Sequence, residues 1–139
     1  MVNQKAKGTF AERELIHLLW KRGWYSVRIA GSGVSRYPCP DIIAGNGLRR
    51  LVIECKSSAD STRYIEKKQV TELVDFGKKL GAEPWIGFRF NKDWYFISID
   101  DLKDSGKSMA VSEELVKTKG LSINEIAGNP ILESSAPSL

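Results

Sequence analysis

Two short apolar segments, residues 40–44 and 48–56, are separated by Asn46-Gly47, and this arrangement restricts the fold more than any other part of the chain. An Asn-Gly pair favours a two-residue hairpin turn, because both turn positions need a positive φ and these residues tolerate it. The sequence therefore predicts an antiparallel β-hairpin with Asn46 and Gly47 as its two turn residues.

The predicted hairpin places charged side chains on one face of the sheet. In this register Asp41 lies opposite Val52, and Glu54 is the next residue of the second strand on the same face. Lys56 lies two residues beyond Glu54 and therefore points the same way. Charged residues within an otherwise apolar strand indicate a functional site. The residues predicted to face the core are Leu51, Ile53 and Cys55.

The rest of the chain alternates helical and extended patterns. Apolar residues recur at helical spacing in residues 9–22 and 64–80, and Gly23 and Gly81 mark the ends of these helices. This order predicts an α/β fold in which a mixed sheet is flanked by helices. The other predicted elements are strands at 24–30, 84–90 and 94–99, a flexible loop at 31–38, a polar loop at 57–63 and a short helix at 112–119.

The composition and length limit the class of protein. The chain has 139 residues, of which 42% are hydrophobic, so we expect one globular domain over 1–139. No apolar run approaches the roughly 20 residues of a membrane span, and no secretory signal begins the chain. Two cysteines are too few for a disulfide framework and fit a reducing cytoplasm. We expect residues 1–8 to form a basic lead-in and 134–139 to form a flexible tail.

Charge is distributed unevenly along the chain. Residues 1–92 hold 17 Lys or Arg and 9 Asp or Glu, whereas residues 93–139 hold 4 Lys and 8 Asp or Glu. A basic body of this kind favours a polyanionic partner, most often nucleic acid.

The residue types in the hairpin suit phosphodiester hydrolysis. This reaction needs an activated water and charge relief at the phosphate, which Mg²⁺ supplies when a few carboxylates hold it. We therefore predict Asp41 and Glu54 as metal ligands, with the main-chain carbonyl of Cys55 as a further one. A lysine beside the metal orients water or holds the phosphate, which is the role predicted for Lys56.

These residues resemble a known nuclease signature. Pro40-Asp41, twelve intervening residues and then Glu54-Cys55-Lys56 on the second hairpin strand look like the PD-(D/E)xK motif. The upstream sequence Glu12-Arg13-Glu14-Leu15, followed by Arg28-Ile29-Ala30-Gly31-Ser32, narrows the resemblance to archaeal-type Holliday junction resolvases over roughly residues 5–100. The segment from Ser35 to Pro40 is longer than in that family and contains proline.

The resemblance implies a fold, an activity and a set of site residues. The fold is restriction-endonuclease-like, with about five strands, and the activity is Mg²⁺-dependent paired nicking of four-way DNA junctions by a homodimer. Mn²⁺ is expected to replace Mg²⁺, and the enzyme is expected in the cytoplasm with the nucleoid. Glu12 is a further expected metal ligand. The implied catalytic residues are Glu12, Ser32, Asp41, Glu54 and Lys56, and the expected DNA contacts are Lys5, Lys7, Arg13, Arg28 and Arg36.

Other interpretations of the same residues stay open at this point. Thr9 and Glu12 have the spacing of a capping box, in which Glu12 would stabilise the first turn of a helix. Asp41, Glu54 and Lys56 also suit a cross-strand ion pair on a solvated face. At the level of function, the alternatives are a different nuclease on the same core, such as a restriction or repair enzyme, and a DNA-binding adaptor without activity.

Overall fold

The structure, a computed structural model, describes residues 4–58 and 62–131. Its centre is a five-stranded mixed sheet in the order β1-β2-β3-β5-β6, in which only the β3–β5 pair is parallel. The predicted mixed sheet flanked by helices is therefore confirmed. The strands are β1 (Tyr25–Arg28), β2 (Ile42–Gly45), β3 (Arg50–Ser58), β4 (Thr62–Glu66), β5 (Glu83–Phe90), β6 (Asp93–Ser98), β7 (Lys103–Asp104) and β8 (Ser108–Ser112), and the helices are α1 (Gln4–Trp20), α2 (Lys67–Leu80), α3 (Glu113–Lys119) and α4 (Ile123–Ala127).

The middle strand β3 is buried on both of its faces. Leu51 and Ile53 pack with α1 and α4 in one apolar core, and Val52 packs with α2 in a second core. All three side chains are inaccessible to solvent. Alternate residues of a strand point to opposite faces, so a strand between two helical layers needs such a continuous apolar run.

The hairpin between β2 and β3 forms, but its register differs from the prediction. Val52 pairs with Ile43 and not with Asp41, which is a shift of two positions. The reason lies in the turn, where the Asn46 side chain accepts hydrogen bonds from the backbone N–H groups of Leu48 and Arg49 at 2.9 and 2.7 Å. Positive φ is needed only at Gly47. Because the shift is an even number of residues, each side chain stays on its predicted face.

Helix α1 begins at Gln4, five residues before the predicted start at residue 9. Residues 4–8 of the expected basic lead-in are thus helical. Thr9 lies inside the helix and cannot be its N-cap, so the capping-box interpretation of Glu12 is wrong. Glu12 lies in the middle of α1, not in its first turn.

The segment between β3 and α2 is more ordered than predicted. The predicted polar loop at 57–63 contains the end of β3 and the start of β4, and the predicted helix at 64–80 begins only at Lys67. Strand β4 pairs with β8, and β8 with β7, to form a second, three-stranded sheet that the sequence did not suggest. Ile65 of β4 is buried beneath this sheet. The expected flexible tail, 134–139, lies outside the described residues. Among the described residues, no helix is long and apolar enough to cross a membrane.

Helix α2 approaches the central sheet closely at Gly77. A Cβ atom at this position would lie 2.8 Å from the carbonyl oxygen of Ala82 and 3.3 Å from a methyl group of Val52. The space for this approach exists only because residue 77 has no side chain.

We therefore expect Gly77→Ala to destabilise the protein by about 1–3 kcal/mol, the usual cost of overpacking a core. In an exposed helix the same change would stabilise by roughly 1 kcal/mol, since alanine favours the helix. Chemical denaturation with the exposed Lys78→Ala as the matched control measures the difference. An equal or higher free energy of unfolding for Gly77→Ala would contradict the packing argument.

Candidate active site

The carboxylate of Asp41 stands where the β2–β3 ladder ends. One of its oxygens accepts a hydrogen bond from the Ser32 hydroxyl at 2.7 Å, and the other accepts one from the backbone N–H of Cys55 at 2.8 Å. Asp41 is buried, with 8% of its surface exposed. A carboxylate offers about four lone-pair sites. These two bonds fix its orientation and leave acceptor capacity for a further ligand.

Glu54 lies beside Asp41 in the same buried position. Burial raises the pKa of Glu54 to about 8, and the negative charge of Asp41 adds to the rise. The Lys56 ammonium opposes it, with its Nζ 3.7 Å from Glu54 Oε1. Only 17% of the Glu54 side chain and 14% of the Lys56 side chain are exposed, so a solvated surface ion pair does not describe this group. Burial and the neighbouring charge of Asp41 together outweigh the Lys56 ammonium in their effect on this pKa.

Glu12 reaches the same region from α1. Its carboxylate accepts a hydrogen bond from Arg28 Nε at 3.2 Å, and Arg28 also donates to the Thr9 hydroxyl at 3.3 Å. Burial raises the pKa of Glu12, and the charge of Asp41 adds to this effect while Arg28 opposes it. Glu12 is therefore electrostatically coupled to the hairpin carboxylates and is oriented by Arg28.

These side chains open into a single groove of about 530 Å³. The β2–β3 hairpin, the loop at 31–40 and the start of α2 all contribute to its lining. Five acidic and three basic side chains line it, which is an unfavourable balance for a polyanionic substrate unless a cation is added. The charged lining residues are Glu12, Arg36, Asp41, Glu54, Lys56, Glu66, Lys68 and Glu72.

The donor set at the end of the hairpin fits a hard divalent cation. Mg²⁺ is usually held by one or two carboxylates and retains several waters, and Asp41 and Glu54 provide such a pair. Burial and then the charge of Asp41 raise the pKa of Glu54, and a bound cation would favour its ionised form. Within residues 4–58 and 62–131, no group of three or more His, Cys, Asp or Glu side chains is arranged to hold a metal ion. Glu12 lines the same groove and pairs with Arg28, and its role as a further metal ligand stays a prediction.

The groove brings together all the predicted catalytic residues and one of the five predicted DNA contacts. Cys55 and Arg36 also line it. Arg28 lies behind Glu12 and is not among the lining residues, and Arg13 is exposed on α1 outside the groove. Lys5 and Lys7 belong to α1, but their side chains lie outside the described part of the chain.

Several groove residues were not predicted from the sequence. Tyr37 lines the groove from the loop, and Gln69 lines it from the first turn of α2. Neither residue belongs to a local motif, and the sequence does not show that α2 packs beside the hairpin. A correct prediction of where α2 begins would have placed Gln69 in the first turn of that helix. The other unpredicted lining residues are Ser35, Pro38, Cys39, Glu66, Lys68, Glu72 and Leu73.

Comparison with known proteins agrees with this geometry. Residues 3–134 match the family described as archaeal Holliday junction resolvase (Hjc). The chain is 42% identical over 125 residues to the crossover junction endodeoxyribonuclease Hjc of Archaeoglobus fulgidus, covering 89% of this chain and 91% of that protein. It is 34% identical to the Hjc of Methanocaldococcus jannaschii, covering 92% of each chain.

A solved structure extends the likeness to three dimensions. The structure of Archaeoglobus fulgidus Hjc, a Holliday junction resolvase from an archaeal hyperthermophile, superposes with a TM-score of 0.81 and 38% identity. The match covers 87% of this chain and all of that one. The family match spans nearly the whole chain and includes the residues of the hairpin that carries the carboxylates. The chain therefore belongs to the archaeal Holliday junction resolvase family.

Proposed function

We propose that this protein is an endonuclease that resolves four-way DNA junctions by Mg²⁺-dependent paired phosphodiester hydrolysis, as a homodimer. The observation that carries the proposal is the buried pair of carboxylates, Asp41 and Glu54, with the Lys56 ammonium 3.7 Å from Glu54. Family membership supplies the substrate class. Because the substrate is chromosomal DNA, we place the enzyme in the cytoplasm with the nucleoid.

Asp41 and Glu54 would hold the cation, since both carboxylates line the groove. Ser32 acts through Asp41, because its hydroxyl fixes one carboxylate oxygen at 2.7 Å. The backbone N–H of Cys55 fixes the other oxygen, so the carboxylate does not need to reorganise when the cation binds. When bound, Mg²⁺ supplies an activated water and charge relief at the phosphate.

Lys56 places a positive charge in the groove. Its ammonium lies beside Glu54 and opens to the groove. From this position it donates a hydrogen bond to a phosphate oxygen or orients the attacking water. Arg36 at the groove wall contacts the DNA backbone, which fixes the position of the strand without reading its sequence.

Resolution of a junction requires two symmetric cuts, and one protomer has one such site. A two-fold dimer supplies the second site. An apolar surface beside α2 is suited to this contact: Tyr25 and Val27 of the edge strand β1 are 67% and 60% exposed, Val27 pairs with the half-buried Ile43, and Phe76 is half-buried on α2. Tyr25 also contacts Trp20, with the ring centroids 4.1 Å apart and the ring planes tilted by 35°. We propose that this surface joins the two protomers.

The first prediction concerns the hairpin carboxylates. Asp41→Asn and Glu54→Gln should each reduce junction cutting by at least about 100-fold, because the cation site loses a charged ligand, while junction binding persists. Cutting and binding are measured with labelled four-way and linear DNA in Mg²⁺. Full activity in either variant would refute the assignment. Equal cutting of linear and four-way DNA by the unaltered protein would instead favour a different nuclease on this core.

The second prediction concerns pH. Folding raises the pKa of Glu54 from 4.5 to about 8, so the metal-free folded state holds a proton more tightly than the unfolded chain. Its free energy of unfolding should therefore fall as pH rises between these values. The cation needs the ionised carboxylate, so Mg²⁺ affinity should rise across the same range, by up to about tenfold per unit, and level off above pH 8.

Calorimetric titration of Mg²⁺ at pH 6, 7, 8 and 9 measures the second prediction, with Glu54→Gln as the control that cannot titrate. The slope should weaken in this variant. A pH-independent affinity in the unaltered protein would contradict the electrostatic account of Glu54.

The third prediction concerns the dimer. Val27→Glu would bury one unpaired charge from each protomer in the two-fold contact, at a cost on the order of several kcal/mol. The variant should therefore be a monomer of 15.5 kDa. Leu48→Glu, at a turn residue that is 90% exposed, is the matched control and should leave the dimer intact. Light scattering gives the masses. A dimeric Val27→Glu protein would exclude this surface.

A further inference from the structure

Tyr37 is an aromatic residue that the proposed chemistry does not use. It is 70% exposed, although it lines the same groove as Asp41 and Glu54. Tyrosine side chains are amphipathic, and an exposed aromatic ring in the wall of a polar groove is suited to stacking on another planar ring.

The loop that carries Tyr37 is attached to the catalytic residues at both ends. On one side, the Ser32 hydroxyl donates to Asp41, and the Cys39 thiol lies 3.8 Å from the Ser32 carbonyl oxygen. Beside the tyrosine, the backbone N–H of Tyr37 donates to the Ser35 hydroxyl at 3.3 Å. Two prolines, Pro38 and Pro40, restrict the backbone that follows. These contacts hold the loop backbone that carries Tyr37 close to Asp41.

A cation accompanies the ring. The Arg36 guanidinium lies 5.6 Å from the centre of the Tyr37 ring, within the range of a cation–π contact. Arg36 lines the groove as well. A neighbouring aromatic face and guanidinium match a nucleotide, whose base stacks and whose phosphate pairs with the cation. A protein partner or a second copy of the chain would not require this pairing of groups.

We propose that Tyr37 stacks on a nucleobase at the branch point and so helps the enzyme to distinguish junctions from linear duplex. This inference rests on the proposed function. In a linear duplex each internal base is covered on both faces by its neighbours. When the four arms of a junction are held in the open, unstacked form, the base pairs at the exchange point present faces that no neighbour covers. A stacking side chain in the groove then binds at the branch, whereas it has no open face to bind in the interior of a linear duplex.

The test uses the cutting-deficient Asp41→Asn protein in Mg²⁺ with synthetic four-way and linear DNA. Adding Tyr37→Ala should weaken junction binding by roughly 5- to 100-fold, the effect of losing one stacked base, and leave linear-duplex binding unchanged. Tyr37→Phe keeps the ring and should bind the junction nearly as the parent does. Tyr64→Ala, which removes a tyrosine that is 61% exposed outside the groove lining, is the matched control and should have no effect.

A second measurement leaves Tyr37 in place. A junction carrying 5-iodouracil at the exchange point should crosslink on irradiation to a peptide that contains Tyr37, as mapped by mass spectrometry. Crosslinks that map only elsewhere, equal losses on junction and linear DNA, or a change in oligomeric state for Tyr37→Ala would overturn the inference. Failure of the Asp41→Asn parent to bind junctions would instead count against the proposed function.

Discussion

The burial of Glu54 beside the charge of Asp41 is the constraint on which the site depends. Removal from water makes the charged form of Glu54 costly, the charge of Asp41 adds to this cost, and the Lys56 ammonium opposes it, which leaves the pKa of Glu54 at about 8. The Ser32 hydroxyl and the Cys55 amide hold the carboxylate of Asp41 in place through its two oxygens. The proposed divalent cation would offset the charge that Lys56 leaves uncompensated.

A site that holds two carboxylates close together requires strands that do not move apart. Strand β3 provides this support, since its residues before Glu54 are sealed into two separate cores by α1 on one side and α2 on the other. At Gly77, helix α2 packs closely against the central sheet. At its other end, the first turn of α2 forms part of the groove lining. The C-terminal end of α2 therefore contributes to stability, and its N-terminal end contributes to the site.

The hairpin and its charged face could be predicted because strand periodicity depends only on neighbouring residues. The turn was displaced by the Asn46 side chain, which the Asn-Gly preference alone does not reveal, yet an even shift kept Glu54 and Lys56 on the correct face. Glu12 was predicted at the site although its helix begins earlier than expected. Tyr37 and Gln69 could not be predicted, because their positions depend on how a loop and a distant helix pack against the hairpin.

The burial of β3 on both faces of the sheet also determines which parts of the sheet unfold first. Residues 51–53 of β3 lie between β2 and β5 and are sealed on both faces, so their amide hydrogens exchange with solvent only when the whole sheet opens. The flanking strand β1 lies at an edge of the same sheet and is free to open by itself. Beyond the β2 ladder, the end of β3 that carries Glu54 and Lys56 pairs with β5 alone, so its amide hydrogens exchange sooner than those of the apolar stretch before it.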